Sequence, residues 1–323
     1  MATVIPKGSK ATYASNPCTI TTTTTTTENR TMTTTTTTTF NFQLSDCVES
    51  ITLRKLTQPG DANTKLRKSS GMGYQTLGQS MSPERLSWSI SGDNVTLIDA
   101  NSANLVGDIK SVNSCPMASV GCAAACLDHQ GLGSVFRRIG LARKARTIAF
   151  HEYREWYVER LVHEIDLANR KAQRNGMRLA CRLNVFSDIP WESYIPMELF
   201  PNVEFYDYTA IPKRAGTLRD NYWVTLSRKE NNESACLEAL RSGCNVAVCF
   251  ADNGRGYCGN KSGLQRLPRT WQGFKVIDGD TTDLRFDDVR GRKHGRVIGL
   301  RLKAHSKVER QGAINSGFAV VWN

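Results

Sequence analysis

The sequence contains no run of about 18 consecutive apolar residues, the length that a membrane-spanning helix requires. Residues 1–20 also lack an apolar segment long enough for a secretory signal peptide. These two absences argue against a membrane partner and predict a soluble intracellular protein. Because a reducing compartment disfavours disulfides, the ten cysteines are expected to be buried residues, metal ligands or reactive thiols.

Acidic residues are scarce relative to basic ones. The 323 residues include 30 Asp and Glu against 42 Lys and Arg, which leaves a net charge of +12. A charge of this sign favours polyanionic partners, of which nucleic acid is the commonest, although it carries no information about the fold. The alternative is a basic but otherwise ordinary soluble protein.

Apolar residues are missing from two threonine runs near the beginning of the chain. Thr21–Thr27 and Thr33–Thr39 each contain seven threonines. Threonine favours strands, but these runs offer nothing to bury, so residues 1–45 are predicted to form a disordered arm. A structural arm that pairs with a partner is the alternative. Residues 46–323 are predicted to form a single domain.

One stretch organises the predicted fold. Residues 179–185 alternate apolar side chains like a buried strand, and a polar turn with Asp188 and Pro190 follows. Similar strands are predicted at 203–209, 222–228, 245–250, 275–280 and 297–302, and the clearest helix spans 152–176. The sequence therefore predicts an α/β fold built as an irregular or partial parallel β/α barrel of TIM-like type. An open doubly wound sheet is the alternative.

Polar residues follow several of these strands. Since the carboxyl ends of parallel strands converge, the following residues are candidates for a catalytic site: Asp188, Glu192, Asp207, Arg228, Asp278 and Asp280. Carboxylates beside an arginine can bind a metal, or act as acid and base on a bound nucleobase or phosphate. For Asp278 and Asp280, which flank a glycine, an ordinary β-turn is an equal alternative.

Three cysteines, Cys115, Cys122 and Cys126, fall within twelve residues. Three closely spaced thiolates suit an iron–sulfur cluster or, with a fourth ligand, zinc. The fourth ligand could come from His129, Cys249 or Cys258. Alternatively, the cysteines are small buried residues that pack a tight loop.

A predicted helix over residues 134–150 carries five cations and no acid on one face, namely Arg137, Arg138, Arg143, Lys144 and Arg146. A basic set of this kind is typical of nucleic-acid contact. A merely solvated face is the alternative.

A series of short motifs occurs in a fixed order: CPMASVGCAAACL, RLNVFSDIPWE, FPNVEFYDYT, NYWVTLSR, NVAVCF and VIDGD. The series resembles a family of uncharacterised bacteriophage proteins related to the group named for gene product 88, and it covers roughly residues 71–318. The resemblance implies a protein of the host cytoplasm and transfers no activity.

The cysteine segment followed by β/α units is also similar in layout to radical-SAM enzymes, which would imply S-adenosylmethionine as a cofactor. The spacing here, six and then three residues between cysteines, departs from that superfamily, and its glycine-rich motif is missing.

Two functions stay open. The first is a metal- or iron–sulfur-dependent enzyme that acts on nucleic acid or nucleotides. The second is a non-catalytic nucleic-acid-binding protein whose cysteines only brace a loop.

Overall fold

A computed structural model describes residues 20–23, 35–44, 47–60, 72–98, 108–126, 136–252, 266–288, 294–304 and 306–322. The chain divides into two compact units. The first contains Met1–Arg54 and Leu86–Ser111, and the second contains Lys55–Arg85 and Val112–Asn323. These boundaries differ from the predicted boundary at residue 45.

The described residues form more strands than helices. In chain order the strands are β1 (Ile20–Thr23), β2 (Thr35–Leu44), β3 (Cys47–Leu53), β4 (Thr57–Pro59), β5 (Tyr74–Gln79), β6 (Arg85–Ser91), β7 (Asn94–Ile98), β8 (Lys110–Asn113), β9 (Arg178–Arg182), β10 (Val203–Thr209), β11 (Gly216–Arg219), β12 (Tyr222–Ser227), β13 (Val246–Asp252), β14 (Thr270–Trp271), β15 (Phe274–Asp278), β16 (Val297–Arg301) and β17 (Val320–Trp322). The α-helices are α1 (Val120–Ala124), α2 (Arg137–Glu152), α3 (Arg154–Arg174), α4 (Glu233–Arg241) and α5 (Lys307–Asn315). Short 3-10 turns lie at Trp191–Ser193, Met197–Leu199, Pro212–Arg214 and Arg285–Asp288.

The first unit is built on a six-stranded sheet of order β1-β2-β7-β6-β8, in which β3 also pairs with β2. The predicted disordered arm is wrong for β1 and β2, which are paired strands. Phe40 and Phe42, which follow the second threonine run, alternate along β2 and are fully buried. They supply the large apolar side chains that the threonine runs lack, Thr38 beside them is also buried, and threonine itself favours extended backbone. The remainder of the predicted arm lies outside the described residues.

The second unit is built on an eleven-stranded mixed sheet. Neighbouring strands are parallel in the order β5, β9, β10, β12, β13, β16, β15. The antiparallel strands β4 and β14 pair at the two ends of this series. The predicted strands and the long helix α3 are confirmed, and α3 packs on β9 and β5.

The prediction of an α/β fold of TIM-like barrel type is wrong, because the protein is mainly β and its two sheets are mixed. The sheet of the second unit stays open, with antiparallel strands where a barrel would close. A barrel also needs a helix after each strand. Between β9 and β10 the chain instead forms two 3-10 turns, and between β10 and β12 it forms a 3-10 turn and a short strand.

No helix in the described part of the chain is both long enough and apolar enough to cross a membrane.

Candidate functional site

A cavity of about 270 Å³ lies at the carboxyl edge of the parallel strands in the second unit. We call it the strand-end cavity. Its walls include one residue at or beyond the end of each of five parallel strands of the sheet: Asp188 after β9, Thr209 at the end of β10, Arg228 after β12, Asp280 after β15 and Lys303 after β16. This convergence is a property of parallel strands, whether or not the sheet closes.

The cysteine segment forms another wall of the same cavity. Cys115, Cys122 and Cys126 all line it, together with Cys249 of β13. The backbone N–H of Asp188 donates to the carbonyl of Ser114 over 2.8 Å, which ties the start of the segment to the turn after β9. The structure therefore brings the thiols of the cysteine segment and Asp188 to one cavity, although more than 60 residues separate Cys126 from Asp188 in the sequence.

Glu230, just beyond β12, holds the middle of the cysteine segment. Its carboxylate accepts from the Ser119 hydroxyl over 2.6 Å and from the Gly121 backbone N–H over 2.8 Å. An added Cβ at Gly121 would lie 2.6 Å from the Ser316 hydroxyl oxygen, so this close approach needs glycine. Lys229 adds a hydrogen bond from its ammonium group to the Met117 carbonyl. Three hydrogen bonds with Glu230 and Lys229 thus hold this part of the segment in place.

Two of the thiols that line the cavity, those of Cys122 and Cys249, have raised pKa values that favour the protonated form. Burial, reinforced by the neighbouring Cys126, raises the pKa of Cys122 to about 11, and burial raises the pKa of Cys249 to about 12. A thiol must lose its proton to bind a metal. Among the described residues, no group of three His, Cys, Asp or Glu side chains is arranged to hold a metal ion. His129 and Cys258, two of the suggested fourth ligands, lie outside those residues, so the metal or cluster site stays a prediction.

Asp188 is the buried acid of the cavity. Its carboxylate accepts from the Thr209 hydroxyl, the Ala210 backbone N–H and the Arg214 guanidinium, each over 2.7 Å. Burial nevertheless raises the pKa of Asp188, against the opposing effect of these three donors. Arg214 also forms a two-point ion pair with Glu192, with both N–O distances 2.8 Å. Glu192 therefore positions Arg214 and does not line the cavity.

Asp207 lies beneath the cavity wall and not in it. It is fully buried and accepts from the Asn184 backbone N–H over 2.7 Å and from the Tyr222 hydroxyl over 2.8 Å. Asn184, which does line the cavity, in turn accepts from the backbone N–H of Ile189 over 2.9 Å. Asp207 thus supports the turn that carries Asp188.

The two acids that flank Gly279 have separate positions. Asp280 lines the cavity and pairs with Lys303 over 3.0 Å and with Arg301 over 3.2 Å. Asp278 does not line it and forms a two-point pair with Arg301, with both N–O distances 2.8 Å. The Asp280 backbone N–H also donates to the Asp278 side chain over 2.9 Å, as in an ordinary turn. Residues 278–280 therefore form an ordinary turn and, through Asp280, also part of the cavity wall.

Arg228 reaches the cavity from the end of β12. Its guanidinium donates to the carbonyls of Gly317 and Phe318, which fastens the C-terminal segment to the sheet. Sequence reasoning missed Arg182, which also lines the cavity and pairs with Asp283 over 2.9 Å. The available signal was a charged residue inside an otherwise apolar strand, since such a residue needs a partner.

The five cations predicted to share one helix face are dispersed on α2. Arg137 and Arg138 are exposed, whereas Arg143 and Arg146 are buried. The Arg143 guanidinium lies 4.4 Å from the centre of the Phe186 ring. Lys144 pairs with Glu84 over 3.2 Å. If α2 contacts nucleic acid, the contact would therefore be made by the exposed Arg137 and Arg138 in its first turn.

We expect Asp207 to make stability depend on pH. Burial raises the pKa of Asp207 from its ordinary value to about 7. Between about pH 4 and pH 7 the folded protein keeps a proton on Asp207 that the unfolded chain has released, so the free energy of unfolding falls as the pH rises through this window. Denaturation midpoints measured from pH 5 to pH 8 should fall less steeply for Asp207→Asn than for the wild type. Equal slopes would show that Asp207 is already ionised throughout this range.

Comparison with known proteins gives one finding. A protein-family model described as gene product 88 matches residues 55–320. No curated protein and no solved structure matches the chain.

Proposed function

Because the chain belongs to the gene product 88 family of bacteriophage proteins, we propose that it is a phage enzyme that acts on a nucleotide or on a nucleotide unit of nucleic acid. The observation that supports this most strongly is the strand-end cavity, which collects carboxylates, cations and thiols around a volume of about 270 Å³. Such a concave site with a few convergent polar groups is the usual setting for small-molecule chemistry.

The nucleotide class is supported by the side chains that line the cavity. Arg228 and Lys303 offer positive charge for a phosphate. Phe186, Tyr208 and Phe318 offer aromatic surface, on which nucleobases stack favourably. The net charge of +12 favours the approach of an anion over longer distances.

Asp188 is the proposed acid–base residue. It lies in the cavity wall, and burial raises its pKa, which makes the carboxyl a better proton acceptor than an exposed aspartate. Arg214 and Thr209 orient its oxygens through hydrogen bonds of 2.7 Å. Glu192 and Asp207 are proposed to act through these neighbours, as positioning residues.

A metal ion or iron–sulfur cluster remains part of the proposal for Cys115, Cys122 and Cys126, since all three line the cavity. A bound ion would supply the positive charge that deprotonates these thiols. The described thiols are not arranged around one ion, so no reaction step is assigned to it. The metal content of anaerobically purified protein tests the metal or cluster proposal. S-adenosylmethionine as a cofactor is supported only by the similarity in layout to radical-SAM enzymes.

The substrate class is tested by nucleotide binding to two matched variants. Lys303→Met removes a cation that lines the cavity, whereas Lys307→Met removes an exposed cation on α5 that does not line it. A charge-assisted contact contributes about 1.5 kcal/mol or more, so affinity should fall at least about tenfold in the first variant. Calorimetry with a panel of mononucleotides should show no change for Lys307→Met. If the wild-type protein binds none of them at millimolar concentration, the proposal fails.

Catalysis is tested separately with Asp188→Asn. The amide cannot exchange a proton, so turnover should fall by about 10² to 10⁴ while nucleotide affinity is kept. Asp220→Asn, an exposed substitution of the same type, should leave turnover unchanged.

The second candidate function is non-catalytic nucleic-acid binding, which the net charge alone favours. It predicts oligonucleotide binding that survives Asp188→Asn, with no chemical change in any nucleotide.

A further inference from the structure

A second concave site lies in the same unit and has a different charge pattern. We call it the amino-edge pocket. It has a volume of about 550 Å³, and its walls carry Arg241, Lys275, His294 and Arg296 beside Phe274. Arg241, Lys275 and His294 are exposed, and Arg296 and Phe274 are half-buried. No acidic residue occurs among the described residues that line it.

The pocket lies at the opposite edge of the sheet from the strand-end cavity. Phe274 begins β15, Arg296 immediately precedes β16, and β15 and β16 are parallel. Asp280 and Lys303, beyond the other ends of the same strands, line the cavity. Five residues of strand separate the two sites, which corresponds to roughly 17 Å. The pocket is therefore a separate site.

The cations of the two sites differ in their partners. In the strand-end cavity Arg182 pairs with Asp283, and Lys303 pairs with Asp280. Within the described chain, the three cations of the amino-edge pocket have no acidic partner. Like charges gathered around one concavity repel each other, and a bound anion removes that repulsion.

The backbone around Gly295 holds these cations together. The Gly295 N–H donates to the carbonyl of Leu240 near the end of α4 over 3.0 Å. A Cβ at position 295 would lie 1.9 Å from the Cys244 carbonyl oxygen, so only glycine allows the chain to approach so closely. The Arg296 N–H donates to the Asn245 side chain over 2.8 Å. These contacts bring His294 and Arg296 against the helix end that carries Arg241.

We propose that the amino-edge pocket binds the phosphate backbone of single-stranded nucleic acid, which extends the proposed function and rests on it for the class of substrate. Three cations and an imidazole supply contacts to phosphate oxygens. Phe274, half-buried in the same wall, supplies an aromatic surface for an unpaired base. An acidic peptide would use the cations and leave the ring without a stacking partner. A single strand uses both.

The test compares two triple variants that remove the same charge. One carries Arg241→Gln, Lys275→Gln and Arg296→Gln in the pocket. The other carries Lys171→Gln, Arg174→Gln and Arg219→Gln, which are exposed and do not line the pocket. Fluorescence anisotropy with a labelled single-stranded oligonucleotide at low salt should show at least about a tenfold loss of affinity for the first triple. The second triple should lose less than about threefold. The slope of log affinity against log salt should fall by about 2 in the first triple only.

Further measurements separate the alternatives. Phe274→Leu keeps the charge and should weaken oligonucleotide binding about threefold or more, which a purely ionic site would not do. Equal losses in the two triples, or equally tight pocket-dependent binding of polyglutamate, would overturn the proposal. Mononucleotide binding in the strand-end cavity should persist in the pocket triple, so that failure here is distinguishable from failure of the proposed enzyme function.

Discussion

Replacing Arg214 with alanine is expected to destabilise the second unit by about 3–5 kcal/mol, because it leaves two carboxylates without their cation. The Arg214 side chain is 8% exposed, and its partners Asp188 and Glu192 are 6% and 14% exposed. Removing one partner from a buried ion pair costs more than the pair contributes, since the remaining charge stays in a medium that solvates it poorly. Here the loss affects two charges at once.

The measurement is chemical denaturation of the variant beside a matched control. Arg219→Ala removes an exposed arginine from the strand that follows, and it should change the free energy of unfolding by less than about 0.5 kcal/mol. Arg214→Lys keeps the charge without the planar two-point geometry and should give an intermediate loss. A loss below about 1 kcal/mol for Arg214→Ala would mean that water reaches both carboxylates.

Replacing Glu164 with alanine is the other substitution with a large expected effect. Glu164 lies on α3 and is buried, and its carboxylate accepts hydrogen bonds from four donor groups. The donors are the Leu56 N–H at 3.0 Å, the Thr57 N–H at 2.9 Å, the Thr57 hydroxyl at 2.6 Å and Arg160 at 3.1 Å. Each buried donor left without an acceptor costs about 1–3 kcal/mol, so we expect a total loss of about 3–5 kcal/mol.

Glu159→Ala is the matched control, because Glu159 is an exposed glutamate on the same helix. It should change stability by less than about 0.5 kcal/mol. Glu164→Gln keeps one acceptor oxygen for the backbone donors of β4 and should recover part of the loss. If Glu164→Ala and Glu159→Ala unfold at the same denaturant concentration, the carboxylate does not hold β4 to the helix.

The contacts of Arg214 and Glu164 show why the strands could be predicted from the sequence and the architecture could not. The alternation of apolar residues over 179–185 depends only on the two-residue period of a strand, and β9 covers the first part of this stretch, to Arg182. Glu164 and Leu56 are separated by 108 residues, so no local pattern reveals that they meet. The barrel prediction failed in the same way, since closure of a sheet depends on which edge strands pair.

The candidate site shows the same division between local and long-range information. The positions of Asp188 and Asp280 at the carboxyl edge follow from the strands that precede them. The burial of Arg143 and Arg146 on α2 could not be predicted from local sequence, because the residues that cover them come from distant strands and turns. The amino-edge pocket also could not be predicted from the sequence. Its residues Arg241 and Lys275 lie on separate elements, and no local sequence pattern links them.

By itself the sequence determined the positions of the strands, the helix α3, the polar turn at Asp188 and the placement of acids after strands. These features depend on short-range backbone periodicity and turn chemistry, which neighbouring residues specify. Only the tertiary structure decided that the sheet stays open, that the cysteine segment faces the strand ends, and which cations are paired. Those outcomes depend on contacts between residues far apart in the chain, whose energies arise only once the elements have packed.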